Sequence, residues 1–515
     1  MSSTKATTSS TKATTSSTKA TTSSTKATTS STKATTSSTK ATPQTTKKQR
    51  SQTSYLKHYT PYKSPVLGDI YKVSFKLVGV HSSMANALRR TLLADIPVVA
   101  FDDSYDTHKM TIHKNVSALH NEFIAHRLSL VPITMYKDKS ELLKIKTTYD
   151  EKTATFLYEF EHPDRVPTFV LKVKNDSDTR KRLGSNADNS IDITTAHIEL
   201  VSANETTEQS TPVTTSNYLI PDYITGDHVL LHRLKPMSSS EEIQEAEEIH
   251  VEMLPTISTA RTHARYCPVG TVSYEFQKDS DDVLDKKFQL YIDSLQNQRV
   301  NDKLEPFSEK DIATFRGSFN TMGSERVYRR DEFGDAHTVL MTVESVGNLE
   351  ADTLLETAVH ILRLRILSFL KHFHWDAETS AYSYDTQKIS VEHNRRNNLW
   401  EFTVQKEDHT LGNLISGYMR RLFSIDNVMG ELATFTSYRY PHPLEERIVF
   451  NIGLNTSASR DQYNRVFKEY DLPTVKNTDT DAKTISTQLL IVSSYYVLGI
   501  LDDLYEEVRQ ARRSE

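Results

Sequence analysis

The order of apolar and polar positions predicts the same two elements twice in this sequence. Apolar residues alternate with polar ones over residues 70–79 and again over residues 399–406, which is the period of a half-buried β-strand. Directly after each run, apolar residues recur at three- and four-residue intervals, and this spacing predicts amphipathic helices over residues 83–94 and 410–423. Two strand–helix units of one design indicate that two related folds are joined in one polypeptide.

The junction between strand and helix carries a matching motif in both units. It reads His81-Ser-Ser-Met-Ala-Asn-Ala-Leu88 in the first unit and Asp408-His-Thr-Leu-Gly-Asn-Leu-Ile415 in the second, about 327 residues further on. A hydroxyl side chain, Ser83 or Thr410, stands where each helix would begin, and such side chains are common helix caps. The asparagine shared by both copies is a poor helix-interior residue, so we expect its amide to bond a neighbouring group.

The rest of the pattern predicts further strands and helices. A strand pair is expected at Val98–Phe101 and Met110–Val116, followed by a helix that Ser117 caps and that ends near Leu128. The buried stripe of that helix should consist of Leu119, Phe123, Ile124 and Leu128. The later predictions are a strand over 337–346, a helix over 349–373, strands near 434–440 and 447–452, a polar loop over 455–483 and a final helix over 487–511.

These elements define an α+β chain of several parts. We assign residues 54–135 and 251–374 to a larger unit and residues 397–515 to a smaller one, each with a small sheet and long helices. An inserted β-rich subdomain (136–250) and a charged insertion (277–335) interrupt the larger unit, and a linker (375–396) joins the two units. Each unit ends in an amphipathic helix longer than its own sheet can cover, so we expect the two units to pack together as an intramolecular pseudo-dimer.

Residues 1–53 form a basic, low-complexity tail that should be disordered. Residues 2–36 are five copies of Ser-Ser-Thr-Lys-Ala-Thr-Thr without a large apolar side chain, so neither a core nor a coiled coil is expected. The tail holds nine Lys and Arg and no acidic residue, which leaves a charge of −14 for the rest of a chain whose total is −5. An alternative function is therefore a free nucleic-acid-binding protein anchored by this tail, but the acidic body would repel a phosphate backbone.

Few residue patterns suggest chemistry of their own. Cys267 is the single cysteine, which excludes a disulfide framework and a cysteine-rich zinc site. Glu122 and His126 stand four residues apart on a predicted helix, a spacing also found in metal sites, but the remaining zinc-protease pattern is missing and a surface pair is expected. No apolar run approaches the roughly 20 residues of a membrane helix, and no secretory signal is recognised. We therefore predict no catalytic residue, no metal, no cofactor and no membrane contact.

Several of these segments resemble the α-like subunits of cellular RNA polymerases. Asn86–Leu93 and Asn121–Leu128 resemble the larger α-like subunit, which is the third subunit of eukaryotic RNA polymerase II and is called D in archaea. Phe402–Leu414 and Tyr440–Glu445 resemble its smaller partner, the eleventh subunit, or L in archaea. The two are separate chains in most cells, and their succession in one chain is similar to the fused subunit of large DNA viruses.

The resemblance implies a non-catalytic assembly subunit of a DNA-directed RNA polymerase. The two α-like units would pack on each other and dock the two largest, catalytic subunits and small polymerase subunits, so that DNA is reached only through the complex. The residues expected to face partner subunits are Asn86, Arg89, Arg90, Glu122, His126 and Arg127. The residues expected at the internal interface are Leu88, Leu92, Leu362, Ile366, Leu411, Leu414, Leu501 and Leu504.

The resemblance also bears on cofactors and on location. Many relatives hold zinc or an iron–sulfur cluster through cysteines of the inserted subdomain, and this chain has no cysteine between residues 1 and 266. That site is therefore expected to be missing, and packing should hold the subdomain instead. The implied location is intracellular: the virion and host cytoplasm for a viral chain, the nucleus for a cellular one.

Overall fold

Strands and helices are mixed along the whole described chain, which confirms the α+β class. The computed structural model describes residues 54–104, 107–135, 143–150, 155–201, 217–236, 246–423, 431–476 and 481–513, so the predicted tail lies outside it. The strands are β1 (Leu56–Lys63), β2 (Ile70–Val78), β3 (Val98–Phe101), β4 (Met110–Asn115), β5 (Ile145–Asp150), β6 (Thr155–Phe160), β7 (Thr168–Lys174), β8 (Ile191–Thr194), β9 (Ile198–Val201), β10 (Leu230–Leu234), β11 (Glu248–Met253), β12 (Pro255–Ser258), β13 (Val269–Phe276), β14 (Thr338–Ser345), β15 (Phe373–Asp376), β16 (Ala381–Tyr384), β17 (Ile389–Asn394), β18 (Leu399–Gln405), β19 (Ala433–Arg439) and β20 (Arg447–Leu454). The helices are α1 (Ser82–Ala94), α2 (Asn121–Ser129), α3 (Ser177–Leu183), α4 (Asp281–Asn301), α5 (Glu309–Ser318), α6 (Ala351–Leu370), α7 (His409–Phe423), α8 (Arg460–Glu469) and α9 (Ala482–Arg513).

The first strand–helix repeat builds an antiparallel sheet in the order β1-β2-β14-β13. On β2 the alternation places Val73, Phe75 and Leu77 in the core, as the sequence pattern predicts. Helix α1 follows β2, and helix α6 follows β14. We call β1, β2, β13, β14, α1 and α6 the first module.

The second repeat builds another four-stranded antiparallel sheet, in the order β17-β18-β20-β19. With α7, α8 and α9 it forms what we call the second module.

Two predictions for this part of the chain are corrected by the structure. Residues 375–396 are not only a linker, because they include β16 and β17, and a turn at 385–388 separates those strands. Residues 455–483 are not only a polar loop, because they contain α8, which Ser459 caps.

The two modules contribute to one continuous hydrophobic core. Helix α1 packs against both α6 and α7, and α9 packs against the same two helices. Buried residues of both modules therefore belong to one hydrophobic cluster. The residues that the sequence analysis assigned to an internal interface are all buried in this core: Leu88, Leu92, Leu362, Ile366, Leu411, Leu414, Leu501 and Leu504.

A separate core lies in the inserted subdomain, whose main sheet has the order β4-β11-β7-β9. The expected pairing of β3 with β4 is wrong, because β3 pairs with β12 and β4 pairs with β11. The expected boundary at residue 136 is also wrong, since Ile124 and Leu128 of α2 pack into this second core. Helix α2 is capped by His120 rather than Ser117, and Phe123, predicted to be buried, is 63% exposed.

Two further helices bear on the sequence predictions. The charged insertion at 277–335 contains α4 and α5, whose surfaces are mostly exposed. Helix α9 corrects the expectation that no stretch reaches membrane length, because by length and composition it could cross a bilayer. However, 78% of its apolar stretch is buried inside the protein, so α9 serves as a core helix.

Candidate assembly interface

The first position of the repeated motif caps the helix in both modules. Nδ1 of His81 accepts a hydrogen bond from the backbone N–H of Ser83 at 3.1 Å, and Oδ1 of Asp408 accepts one from the backbone N–H of Thr410 at 2.8 Å. The predicted hydroxyl caps are therefore wrong: Ser83 and Thr410 lie inside the first turn. Sequence reasoning missed these caps because imidazole and carboxylate share only the ability to accept a hydrogen bond.

Helices α1 and α7 each extend a side chain to the amino terminus of the other. Nε of Arg90 on α1 donates to Oγ1 of Thr410 at 2.9 Å, and its Nη2 lies 3.5 Å from Oδ2 of Asp408. In the opposite direction, the hydroxyl oxygen of Tyr418 on α7 accepts the backbone N–H of His81 at 3.1 Å. The two contacts are reciprocal in direction, since each runs from one helix to the start of the other.

The motif numbering makes this reciprocity explicit at Gly417. Gly417 stands at the motif position of Arg90, and His81 stands at the position of Asp408. As Arg90 approaches Asp408, so Gly417 lies against the ring of His81, where an added Cβ would sit 2.8 Å from Cε1. The glycine is therefore needed for the close approach of the two helices rather than for an unusual backbone angle.

Replacing Gly417 by alanine should destabilise the protein by about 1–3 kcal/mol, because the added methyl group overpacks a ring that Ser83 holds in place. Gly317→Ala is the matched control, since a Cβ there meets nothing within 4 Å; it should be neutral or stabilise by up to about 1 kcal/mol through helix propensity. Urea unfolding of both full-length variants provides the measurement. Equal stabilities would show that α1 and α7 do not depend on this approach.

A network of ion pairs joins the modules next to this contact, with largely buried carboxylates around the largely buried Arg365. Nη2 of Arg365 on α6 lies 2.7 Å from Oε2 of Glu407 and 2.8 Å from Oδ1 of Asp408, and its Nη1 lies 3.6 Å from Oδ2 of Asp95. Arg261 bridges the same two aspartates, with Nη2 2.8 Å from Oδ2 of Asp408. Three guanidinium groups, those of Arg90, Arg261 and Arg365, therefore surround Asp95 and the Glu407–Asp408 pair that directly precedes α7.

The electrostatics of the network favour the charged forms of Asp408 and Arg365. Burial alone would raise the pKa of Asp408, but the positive charges of Arg365 and Arg261 outweigh burial and hold that pKa well below its usual range. Burial alone would lower the pKa of Arg365, but the charges of Glu407, Asp408 and Asp95 raise it further above its ordinary value. Since each of these carboxylates already faces a guanidinium group, the cluster stabilises a contact and offers no free base or nucleophile.

Further polar contacts tie α9 to the first module. Nε of Arg512 lies 2.8 Å from Oδ2 of Asp352 at the start of α6, and Nε of Arg363 lies 2.6 Å from Oδ1 of Asp502. Glu507 accepts the backbone N–H of Leu56 at 2.7 Å, which fixes the start of β1 on α9. The carboxy-terminal half of α9 is thus bonded to the first module at three points.

The predicted partner-facing residues fall into two groups. On α1, Arg90 turns toward the second module, and Arg89 donates from Nη2 to Oδ1 of Asn86 at 3.0 Å. The remaining three, Glu122, His126 and Arg127, are all exposed on α2. Arg90 thus has a contact inside the chain, and the expectation that these six residues face partner subunits stays a prediction.

Among the described residues, one further group consists of side chains that could bind a metal ion. His113, His250 and Glu252 lie together on the inserted subdomain, with their ligating atoms within 4.8 Å of one another. The pair Glu122 and His126, considered for its spacing, is not part of this group. Sequence reasoning missed the group because His113 lies more than a hundred residues before the other two members. The alternation of His250 and Glu252 along a strand was the available signal.

Comparison with known families agrees with the repeated design. A family model described as the RNA polymerase Rpb3/Rpb11 dimerisation domain matches residues 74–365, and a second model with the same description matches residues 400–468. The first match runs from β2 into α6 and leaves out β1, and the second runs from β18 into α8 and leaves out β17 and α9.

Individual relatives agree with the family models. The chain is 41% identical over 100 residues to the DNA-directed RNA polymerase subunit Rpo3 of Pyrococcus furiosus, covering 19% of this chain and 35% of that one. It is 24% identical over 323 residues to the human DNA-directed RNA polymerases I and III subunit RPAC1, covering 59% of this chain and 81% of the relative. It is also 24% identical over 311 residues to the Arabidopsis thaliana DNA-directed RNA polymerases IV and V subunit 3B, covering 57% and 85%. The chain therefore belongs to the RNA polymerase Rpb3/Rpb11 dimerisation domain family of α-like polymerase subunits.

Proposed function

We propose that this chain is a non-catalytic assembly subunit of a multisubunit DNA-directed RNA polymerase, in which one polypeptide supplies both halves of the α-like dimer. The observation that carries the proposal is the reciprocal contact of α1 and α7, in which Arg90 reaches the start of α7 and Tyr418 reaches the start of α1. Such reciprocity is expected of two related partners packed about a two-fold axis. Here both partners belong to the same chain.

We further propose that the exposed face of α2 docks one of the two largest polymerase subunits. Phe123 is 63% exposed and Leu130 is 51% exposed, next to the charged side chains of Glu122 and Arg127. Large apolar side chains surrounded by polar ones are typical of a protein-binding surface. The second core anchors this helix through its opposite face, so docking would not require the helix to leave its position.

The acidic body favours assembly over direct DNA binding. Residues 54–515 carry the formal charge of −14, so a nucleic-acid backbone would be repelled unless other subunits hold it. The proposal assigns the chain to the intracellular site of transcription: the virion and host cytoplasm if the polymerase is viral, the nucleus if it is cellular.

Affinity purification of the tagged chain from its native source should recover the two largest polymerase subunits. The double variant Phe123→Asp/Arg127→Glu should weaken docking by about 2 kcal/mol or more, roughly thirtyfold in affinity, because it puts charge into the centre of the docking face. Leu444→Asp is the matched control, because Leu444 is 88% exposed in the second module and should not affect recovery. Purified chain that never recovers a large subunit would overturn the assembly role; equal recovery by both variants would overturn only the α2 assignment.

A further inference from the structure

Three side chains of metal-ligating type meet on the outer face of the main sheet of the inserted subdomain. His113 belongs to β4, and His250 and Glu252 belong to the neighbouring strand β11. The alternate residues of β11, such as Ile249 and Val251, are buried in the second core, so His250 and Glu252 face outward. None of the three takes part in the contacts between the modules or in the exposed face of α2.

A β-bulge brings His113 to this position. Glu252 pairs with Thr111 and His250 pairs with Lys114, and the register shifts between those two pairs. The extra residue on β4 is His113, which is thereby placed beside both β11 side chains. Its ring lies 4.7 Å from the ring of His250, centroid to centroid.

The distances among the three side chains suit a single transition-metal ion. Nε2 of His113 lies 3.1 Å from Oε2 of Glu252, and Nε2 of His250 lies 3.8 Å from Oε1 of the same carboxylate. Two donors that each bind zinc at about 2.0–2.1 Å in tetrahedral geometry lie roughly 3.3 Å apart. Small side-chain rotations would therefore suffice to bring all three donors onto one ion.

The geometry points to a zinc-class divalent metal site formed by His113, His250 and Glu252, with water completing the coordination. Two imidazoles and one carboxylate favour zinc over calcium or magnesium, which prefer oxygen donors. The nearby lysine side chains do not block the metal position. Lys114 is paired with Glu248 at 3.1 Å. Lys172 stands opposite His250 on β7, and its side chain is exposed and long enough to turn away. The site would clamp β4 to β11 where the bulge interrupts their hydrogen-bond ladder.

The test uses the full-length chain, stripped of metal with a chelator and titrated with Zn²⁺ in a calorimeter at pH 7.5. We expect one equivalent to bind, and the melting temperature to rise when Zn²⁺ is added. His250→Ala and Glu252→Gln should each lower the affinity for Zn²⁺ at least about tenfold, since each removes a direct ligand. His162→Ala is the matched control, because His162 is an exposed histidine of the same subdomain outside the cluster. The affinity of this variant for Zn²⁺ should equal that of the unsubstituted chain.

Three results would overturn the site: no binding, binding that His250→Ala and Glu252→Gln leave unchanged, or an equal loss in His162→Ala. The isosteric Glu252→Gln variant guards against misfolding, because its metal-free melting temperature should match that of the unsubstituted chain. Co²⁺ substitution gives an independent readout, since tetrahedral Co²⁺ bound through these ligands should show visible absorption bands that disappear in His250→Ala. This site does not depend on the proposed assembly function, so either can fail alone.

Discussion

Arg365→Ala should lower the free energy of unfolding of the full-length chain by about 3–5 kcal/mol, because it leaves buried carboxylates without their main counter-charge. Arg365 is only 14% exposed and faces Glu407, Asp408 and Asp95. Arg365→Lys should give an intermediate loss, since an ammonium group keeps the charge but cannot form the same forked pair of hydrogen bonds. Urea unfolding followed by circular dichroism measures all three proteins.

An exposed ion pair supplies the matched control for this prediction. Nη2 of Arg439 lies 2.7 Å from Oε2 of Glu401 within the second module, and the Arg439 side chain is about half exposed. Arg439→Ala should therefore change stability by no more than about 1 kcal/mol. A loss of the same size at Arg439 and Arg365 would contradict the view that burial between the modules makes the Arg365 network important.

The pH dependence of the Arg365→Ala deficit gives a second check. Burial acts to raise the pKa of Asp408, and Arg365 supplies the largest opposing influence, so the folded-state pKa lies below the ordinary value. The stability contributed by Asp408 is therefore complete above its unfolded pKa of about 3.9 and is lost as the pH falls toward the lower folded value. The difference between the unsubstituted chain and Arg365→Ala should be largest near neutral pH and shrink toward pH 3.

Cutting the folded chain between its two modules should leave two pieces that remain associated. The place for an inserted protease site lies between Thr386 and Gln387, both exposed in the turn that separates β16 from β17. In Tyr418→Ala the dissociation constant of the two pieces should rise at least roughly a hundredfold, because truncating a buried aromatic side chain costs about 3–5 kcal/mol. Size-exclusion chromatography over a dilution series measures this association.

Two variants sharpen the cleavage experiment. Tyr418→Phe keeps the ring but leaves the backbone N–H of His81 without its acceptor, so its effect should be smaller, about 1–3 kcal/mol. Tyr463→Ala is the matched control, because Tyr463 is equally buried but bonds Leu432 within the second module. It should weaken association far less than Tyr418→Ala. Cut pieces of the unsubstituted chain that separate at micromolar concentration would contradict the pseudo-dimer.

Long, regular patterns were the part of the fold that the sequence predicted well. The helix expected at 410–423 is α7 at His409–Phe423, and the strand expected at 399–406 is β18 at Leu399–Gln405. Both carry apolar residues at an unambiguous period over several turns or alternations, so local propensity and burial agree. The same holds for α1, expected from residue 83 and found from Ser82.

Short elements and strand partners could not be predicted in the same way. Strand β16 has four residues, too few for a period, and it is stabilised by pairing with β15 and by the bond from Tyr384 to Thr487 of α9. Strands β3 and β4 are neighbours in sequence, but their partners β12 and β11 follow well over a hundred residues later. Which strands pair depends on how the insertion folds back, and no local pattern records that.

The ion-pair network around Arg365 could not be predicted from the sequence for a related reason. The network is formed by residues from four separate segments, namely Asp95, Arg261, Arg365 and Asp408. The residues next to each of them do not indicate that the four side chains meet in the folded chain. One signal was available: Arg365 adjoins Ile366 on a helix rich in leucine and isoleucine, and a charge buried there needs a partner of opposite sign. The sequence could suggest that need but not identify Glu407 and Asp408 as the answer.

The shortness of the connection between the two modules, residues 371–388, has a kinetic consequence. Partners tethered by so short a connection see each other at an effective concentration of about a millimolar or more, whatever the amount of protein present. Subunits made as separate chains must find each other by diffusion, and their encounter slows in proportion as expression falls. A tethered pair is exempt from that delay, and it always contains its two members in equal numbers.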